Sequence, residues 1–533
     1  MLRWLIILTC LLLCAPGAHA ATLNVFELPD TNPSAGLYRP NIQSAYPHVD
    51  WQTLDVLCLP AGHYKFVLIQ NLPDRKEETP LTITNCGGQV RVGGLGHYYL
   101  FVLGGGSHWR LTGEYSSARG TGHHDYTGHA DGQYSESRDR YGILIDDESI
   151  EEGGPSGLSI GGGATNFEID FLEIRRVGFA GMLIKSDNNG TATMENVRIH
   201  NNYVHDIGSE GIYIGSTQAP PQHSINGLQF YNNRVLRTGT EVFQLGQIGG
   251  NTEIFNNVFL AGAMDWKNPF QAFQNNTIQL GPRFGSLSFR NNIVIGAGSA
   301  WLNSLGIHLE IDSHPDDAVV SIANNYFSDS RHFGGYIARM TQPNVTIRIE
   351  SNQFRRLAFQ YDEFDPELSA YNQFFRLGSG DQTNTAIIEF SDNQYDGDEF
   401  FINQWPDPNQ TQGNIIGSGN QRTDIPAVWF ENSGFSNDFD WLRLEIWTAE
   451  DYFGGPVDYA HGDVVSVNGA LFRCTSTTGC GAGLHPTDTE NSGSWAQLPA
   501  PADDVRLNAN SPIQNVGLLD GTGGIFSDRF ENQ

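Results

Sequence analysis

Carboxyl groups recur at matched positions of a repeated pattern, and paired carboxyls are the groups that cleave glycosidic bonds. When residues 201–215 are aligned without gaps to residues 232–246, Glu210 and Glu241 take the same position. Counting the same number of residues on from the next Asn-Asn pair reaches Asp265. If successive copies form adjacent strands, neighbouring acids lie about 4.8 Å apart and alternate acids about twice that. These separations fall near the ~5 Å of retaining and the ~9 Å limit of inverting glycosidases. Repulsion within the pair raises one carboxyl's pKa, which supplies a general acid. The sequence therefore predicts a catalytic acid ladder.

Four further residues are predicted to line the same cleft. Lys185 lies on the line of the acids in an earlier copy of the repeat and is the nearest cation. Tyr213 is predicted to point outward beside the acids, so it joins Lys185 as a candidate catalytic group. Gln244 occupies the position of Tyr213 in the next copy, and His205 is a further candidate base. We assign Gln244 and His205 to carbohydrate binding.

Two other interpretations of the acid ladder stay open. Carboxylates at this spacing are suited to Ca²⁺, which would let an acidic protein hold a uronate chain, as a calcium-dependent lyase does. Carboxylates in turns also cap backbone amides without any chemistry, and the protein would then be a non-catalytic glycan-binding surface protein. Apart from this calcium alternative, no cofactor is expected.

The elements that must position these residues are predicted to be short strands of a solenoid. The repeat has a period of 31 residues between Asn202 and Asn233. Asn-Asn pairs recur along the chain, ending at 202, 233, 257, 276, 292 and 325. A repeated unit of this size buries its apolar face only by stacking on its neighbours. We therefore predict an all-β solenoid with stacked Asn amides at one corner, and a solvent-exposed column of Arg176, Asp206 and Arg237.

Four segments carry a resemblance to a known fold family. They read "DVLCLPAGHY", "LTITNCGGQV", "FEIDFLEIRRVGFAGMLIK" and "NNYVHDIGSEGIYIG". These segments resemble the right-handed parallel β-helix proteins, especially the polysaccharide lyases of the chondroitinase B and alginate lyase type. The resemblance implies a parallel β-helix that acts on polysaccharide. The lyases' Lys and Arg fall near Gly215 and Gly246, where neither is present.

A second resemblance covers residues 441–498. Tyr459, Gly462-Asp463, Asn468-Gly469 and Trp495 follow the pattern of the small carbohydrate-binding module of bacterial chitinases and some cellulases. Sugar binding of this kind needs flat apolar rings. The resemblance implies that Trp447 and Tyr452 supply them.

The chain divides into six predicted segments. They are a signal peptide at 1–20, N-terminal coils at 21–112, a long polar loop at 113–162, the parallel β-helix at 163–435, the small module at 441–498 and a tail at 499–533. We expect export to the extracellular space, with the periplasm as the alternative.

Four cysteines follow the signal peptide and form two local pairs. Because exported proteins mature in an oxidising compartment, we predict disulfides between Cys58 and Cys86 and between Cys474 and Cys480.

The charge of the chain restricts its partners. Its formal net charge is −30, with 60 acidic and 30 basic residues. Nucleic acids and anionic membranes are bound through Lys and Arg, so such a surface repels both. We expect a polysaccharide as the partner, no nucleic acid, no membrane, and a monomer.

Overall fold

The structure is a computed structural model that describes most of the chain. The described residues are 23–29, 33–117, 120–122, 141–151, 153–185, 193–216, 224–246, 248–269, 276–282, 285–297, 305–310, 317–331, 333–339, 345–356, 375–377, 386–396 and 407–518. The predicted signal peptide and the end of the predicted tail lie outside them.

Most coils of the solenoid contain three short strands, and equivalent strands of successive coils pair in parallel. The pairs keep the sequence alignment, since Ile212 lies opposite Phe243 and Val204 opposite Val235. We name the three stacks ladder A, ladder B and ladder C, in the order in which a coil passes through them. Parallel strands joined by crossovers of this kind wind to the right. The right-handed parallel β-helix predicted from the sequence is confirmed.

The strands of each ladder are as follows. Ladder A comprises Val25–Glu27, Val56–Tyr64, Leu81–Val92, Ser107–Thr112, Thr165–Asp170, Arg198–His200, Gln229–Tyr231, Thr252–Phe255, Leu287–Arg290, Val319–Ala323, Thr346–Glu350, Ile387–Ser391 and Ile415–Ser418. Ladder B comprises the second parts of Val56–Tyr64 and Leu81–Val92, then Ile143–Asp146, Leu172–Val177, Tyr203–Ile207, Arg234–Thr238, Val258–Gly262, Ile293–Ala297, Tyr326–Ser330, Gln353–Arg355, Gln394–Tyr395 and Gln421–Arg422. Ladder C comprises Leu37–Arg39, Val67–Gln70, Tyr99–Gly104, Ser156–Gly161, Met182–Ile184, Ile212–Ile214, Phe243–Gly246, Ile278–Gly281, Leu305–Glu310, Phe333–Arg339 and Phe375–Leu377.

The remaining elements are few and short. They are the helix Ile42–Ala45, the 3₁₀ turns Pro33–Ala35, Trp441–Arg443 and Thr489–Asn491, the paired strands Thr193–Glu195 and Ser224–Asn226, the strand Thr411–Gln412, the pair Phe430–Asn432 and Asp504–Leu507, and a C-terminal sheet of Leu444–Ile446, Val464–Val467, Ala470–Cys474 and Trp495–Gln497.

The Asn-Asn pairs that end at 202, 233, 257, 292 and 325 form the corner between ladders A and B, whereas Asn276 lies between ladders B and C. The first Asn takes a left-handed conformation, as at Asn201 (φ 56°) and Asn232 (φ 54°), which Asn tolerates better than most residues. The second Asn is buried, and its side-chain amide bonds to the next coil, with Asn202 Nδ2 donating to Asn233 Oδ1 at 3.1 Å. The same bond links further coils through residues 233, 257, 292, 325, 352, 393 and 420. The predicted amide ladder is confirmed.

Apolar side chains inside the solenoid also stack from coil to coil. Phe327 and Phe354 stack with ring centroids 5.1 Å apart, and equivalent rings continue on both sides. Ile212 and Phe243 are fully buried in the same core, as strand alternation predicts. Burial of each such side chain contributes about 1.5–3 kcal/mol to stability.

The structure confirms the predicted disulfides and changes the bounds of the predicted polar loop. Both disulfides, Cys58 to Cys86 and Cys474 to Cys480, are present. The predicted loop at 113–162 is too long, because Ile143–Asp146 and Ser156–Gly161 are strands of ladders B and C.

The predicted exposed column of Arg176, Asp206 and Arg237 is wrong in its exposure. Arg176 is half-buried, whereas Asp206 and Arg237 are each 3% exposed, since Asp503 ion-pairs with Arg237 at 2.7 Å and Gly469 lies against Asp206. The C-terminal region therefore packs on the outer face of ladder B.

Candidate functional site

The two predicted glutamates lie on adjacent coils at the corner between ladders B and C. The backbone N–H of Gly211 donates to the carbonyl of Glu241 at 2.8 Å, which fixes the two residues in register. The next coil places Asn276 beside Glu241, since strand pairing aligns Phe243 with Ile278 and the side chain of Asn276 contacts Glu241. The acid column thus consists of Glu210 and Glu241 and ends at an amide.

Asp265 does not belong to this column, and its predicted place there is wrong. Its backbone N–H donates to the carbonyl of Gly239 at 3.0 Å, so Asp265 lies over the turn that precedes Glu241. The coil contains 35 residues from Asn257 to Asn292, and its extra residues form an insertion after ladder B. Counting a fixed number of residues from Asn257 therefore led to a residue of the insertion and not to the acid column.

Burial dominates the electrostatics of the acid column. Glu210 is 1% and Glu241 0% exposed. Burial, with repulsion from Glu210, raises the pKa of Glu241 to about 8, although the polar contacts of Thr240 and Asn276 oppose the shift. Burial also raises the pKa of Glu210. Glu241 is therefore protonated at neutral pH and carries a proton that it can donate.

The outer row of ladder C begins next to these acids. Tyr213 and Gln244 occupy paired positions of this row and are 8% and 2% exposed. The ammonium of Lys185 lies 5.7 Å from the centre of the Tyr213 ring. The structure therefore brings Lys185 and Tyr213 together. In the strand register the row continues at Gln279.

His205 lies on a different face from the one predicted. It is fully buried on ladder B, where it contacts Asp206 at 2.6 Å, Glu173 at 3.3 Å and the ring of Tyr203. Because the C-terminal region covers this face, His205 is separated from the outer row of ladder C.

The C-terminal module presents aromatic rings at one tip. Tyr452 is 45% and Phe453 71% exposed, while Trp447 is half-buried against His485. The carboxylate of Asp451 fixes the tip by accepting from the N–H of Phe453 at 2.9 Å. Tyr452 N–H donates to the carbonyl of Lys267 at 2.9 Å, so this aromatic tip adjoins the insertion that carries Asp265.

A group of charged residues on ladder A was not predicted. Glu168, Asp170 and His200 have ligand atoms within 4.8 Å of one another, an arrangement that could hold a metal ion. Burial favours a higher pKa for Glu168, but the hydrogen bond from His200 and the charge of Arg110 outweigh it and lower the pKa to about 2. Burial raises the pKa of Asp170 despite Arg110. The paired patterns Glu-x-Asp and Arg-x-His, one coil apart, are the sequence feature that would have revealed this group.

These residues do not fit a calcium ion. Ca²⁺ takes six to eight oxygen ligands. Here the guanidinium of Arg110 contacts Asp170 at 3.1 Å and Glu168 at 3.0 Å, and Arg198 lies 3.6 Å from Glu168, so two cations already offset the charge of the two carboxylates. We therefore derive no step through a metal.

A polar groove of about 890 Å³ runs along the outer face of ladder A. Its lining includes Arg198, Gln229, Glu253 and Ser288, which lie on consecutive coils. This groove is on a different face from the acid column.

Comparisons with known proteins show similarity in fold alone. No family model and no curated protein matches the chain. Among solved structures, an alginate lyase from Paenibacillus sp. str. FPU-7 is 15% identical with a TM-score of 0.36, covering 71% of this chain and 95% of its own. Pectate lyase Pel9A is 11% identical with a TM-score of 0.35, covering 76% of this chain and 83% of its own. The activities in these names belong to those proteins. Among the described residues, no helix is long and apolar enough to cross a membrane.

Proposed function

We propose that the protein is exported and cleaves glycosidic bonds of an extracellular polysaccharide, with Glu241 as the proton donor and Glu210 as its partner carboxylate. The observation that carries this proposal is the pair of carboxyls in register, one of which has a pKa of about 8. Pairs of carboxyls with separated pKa values supply the acid and the base or nucleophile of glycoside hydrolysis. A rung spacing of about 4.8 Å suits the retaining reaction.

The outer row of ladder C is the proposed place for the sugar next to these acids. Tyr213 and Gln244 offer a ring, a hydroxyl and an amide, and Lys185 offers a cation beside the ring. A hydroxyl and an amide are suited to bind sugar hydroxyls. Because both acids are buried, as are Tyr213 and Gln244, the side chains that cover these four residues must move aside before a glycan reaches them.

The aromatic tip of the module is the proposed accessory sugar-binding surface. Large exposed rings side by side are characteristic of interaction sites, and flat rings cover the apolar faces of sugars. Replacing Tyr452 or Phe453 with Ala should weaken glycan retention by about three- to tenfold, as expected for about 1 kcal/mol of lost ring contact. Tyr38→Ala is the matched control, since Tyr38 is 57% exposed in the N-terminal coils.

The burial of Glu210 and Glu241 favours a second candidate function, in which the acid pair is structural and the protein binds a glycan without cleaving it. Purified wild type, Glu210→Gln and Glu241→Gln are assayed on a glycan panel for reducing ends and for ultraviolet absorbance of unsaturated products. Cleavage by the wild type and its loss in both variants supports the proposal. Unsaturated products indicate a lyase. Equal cleavage by all three proteins, or retention without product, contradicts the proposed hydrolysis.

The control for these variants is Glu389→Gln. Glu389 lies on the outer face of ladder A, pairs with Arg348 at 2.7 Å and is far from the acid column in the strand order. It should retain full cleavage.

A further inference from the structure

The groove on ladder A is built from one row of outward positions. Strand pairing aligns these positions across successive coils, and in order they are Arg198, Gln229, Glu253, Ser288 and Ser321. Adjacent strands are about 4.8 Å apart, so the row is about 19 Å long and parallel to the solenoid axis. An extended chain molecule fits such a groove better than a compact ligand does.

The two charged residues of this row are paired within the surface of ladder A, and the further lining residue Glu77 adds a negative charge. Arg198 lies 3.6 Å from Glu168, and Glu253 pairs with Arg290 at 3.2 Å. The rest of the row consists of an amide and two hydroxyls, which both donate and accept hydrogen bonds. With a net charge of −30 on the chain, such a surface favours an uncharged ligand over a polyanion.

Aromatic rings next to the groove do not offer their faces. His200 and Tyr231 stack at 4.6 Å, Tyr231 and Phe255 stack at 5.0 Å, and the guanidinium of Arg290 covers Phe255 at 4.3 Å. Since the faces of these rings contact one another or Arg290, a sugar cannot stack on them beside the groove. Recognition in the groove must use hydrogen bonds to hydroxyl groups.

We propose that this groove binds a neutral polysaccharide chain along the solenoid axis and is a second glycan site, separate from the acid column. Successive coils present hydrogen-bonding side chains at a spacing close to the length of one sugar residue. Affinity should therefore grow with the length of the bound oligosaccharide. The proposal uses no residue of ladder C, so it does not depend on the proposed cleavage.

The test is affinity electrophoresis of the full-length protein in gels containing dextran, mannan or xyloglucan, compared with alginate and polygalacturonate. We expect at least one neutral glycan to retard the protein, with little change on addition of salt, because salt screens only charged contacts. Gln229→Ala should weaken retardation about fivefold, as expected for one lost hydrogen bond of about 1 kcal/mol. Ser288→Trp should abolish it by filling the groove.

Two control variants make the outcome decisive. Ser391→Trp places the same ring on ladder A outside the groove and should leave retardation unchanged. Glu241→Gln should also retain it, because the acid column is on another face. The proposal is overturned if no neutral glycan retards the protein, or if the Ser288 and Ser391 variants behave alike while both melt like the wild type. Loss of binding in Glu241→Gln alone would place the glycan on ladder C and would leave the proposed cleavage intact.

Discussion

Replacing Glu241 with Gln should stabilise the protein at neutral pH, although it removes a proposed catalytic acid. The pKa of Glu241 is about 8 in the folded protein and ordinarily 4.5. Between these values the unfolded chain releases a proton that the folded chain keeps, so stability falls as pH rises, by about 1.4 kcal/mol per pH unit. From pH 4.5 to pH 7 the loss is about 3 kcal/mol. Gln has no proton to lose and keeps nearly the same shape, so the variant escapes this loss.

The measurement is urea unfolding of the wild type and Glu241→Gln at pH 4.5 and pH 7. Burial raises the pKa of Glu445 to about 7 as well, even though Lys267 opposes it. Glu445 therefore also makes the stability of the wild type fall as pH rises. Because both proteins contain Glu445, the difference between them isolates Glu241. The variant should be more stable by about 3 kcal/mol at pH 7 and nearly equal to the wild type at pH 4.5.

The refuting result is a stability difference that is the same at both pH values. It would mean that the carboxyl of Glu241 is ionised in the folded protein, and that the proton donor assigned to it does not exist. Glu389→Gln, on the exposed face of ladder A, should follow the wild type at both pH values. If the more stable Glu241→Gln variant has also lost cleavage, the loss is chemical and is not caused by unfolding.

Other parts of the fold give further predictions. Asn233→Ala should cost about 3–5 kcal/mol in urea unfolding, because it leaves Asn202 and Ile199 in the preceding coil and Asn257 in the following coil without a hydrogen-bond partner. Asn232→Gly, at a left-handed position, should cost almost nothing. Asp503→Asn should cost about 3–5 kcal/mol, because it removes a charge partner from the buried Arg237, and limited proteolysis should then release the C-terminal region. Treatment with EDTA should leave the melting temperature unchanged, because Arg110 and Arg198 already offset the charge of the two carboxylates on ladder A.

The solenoid could be predicted because its determinants are local and repeated. An Asn-Asn pair, whose first Asn is left-handed and whose second Asn is buried, recurs in the sequence of successive coils. The hydrogen bond from Asn202 to Asn233 joins residues one 31-residue period apart. Strand alternation likewise placed Ile212 in the core. Register failed at Asp265, because an insertion lengthens that coil and no periodicity describes an insertion.

The exposure of the site residues could not be predicted, because it depends on distant parts of the chain. Arg237 is buried by Asp503, 266 residues further on. For His205 one local signal existed, because the positions aligned with it in the next three coils, Leu236, Leu260 and Ile295, are apolar and are buried under the C-terminal region.

The acid column and the groove on ladder A are suited to two different tasks on one glycan, namely cleavage and binding. Burial gives Glu241 a proton at neutral pH, and the same burial keeps bulk solvent and substrate away from it. The groove has the opposite properties, because the two charges of its row are paired and its hydrogen-bonding groups face solvent. A polysaccharide long enough to cross several coils can be held at the groove, which raises its effective concentration at the second face. If this coupling exists, Ser288→Trp should slow cleavage of long chains and leave cleavage of short oligosaccharides unchanged. Equal effects on both lengths would show that the groove does not contribute to the reaction.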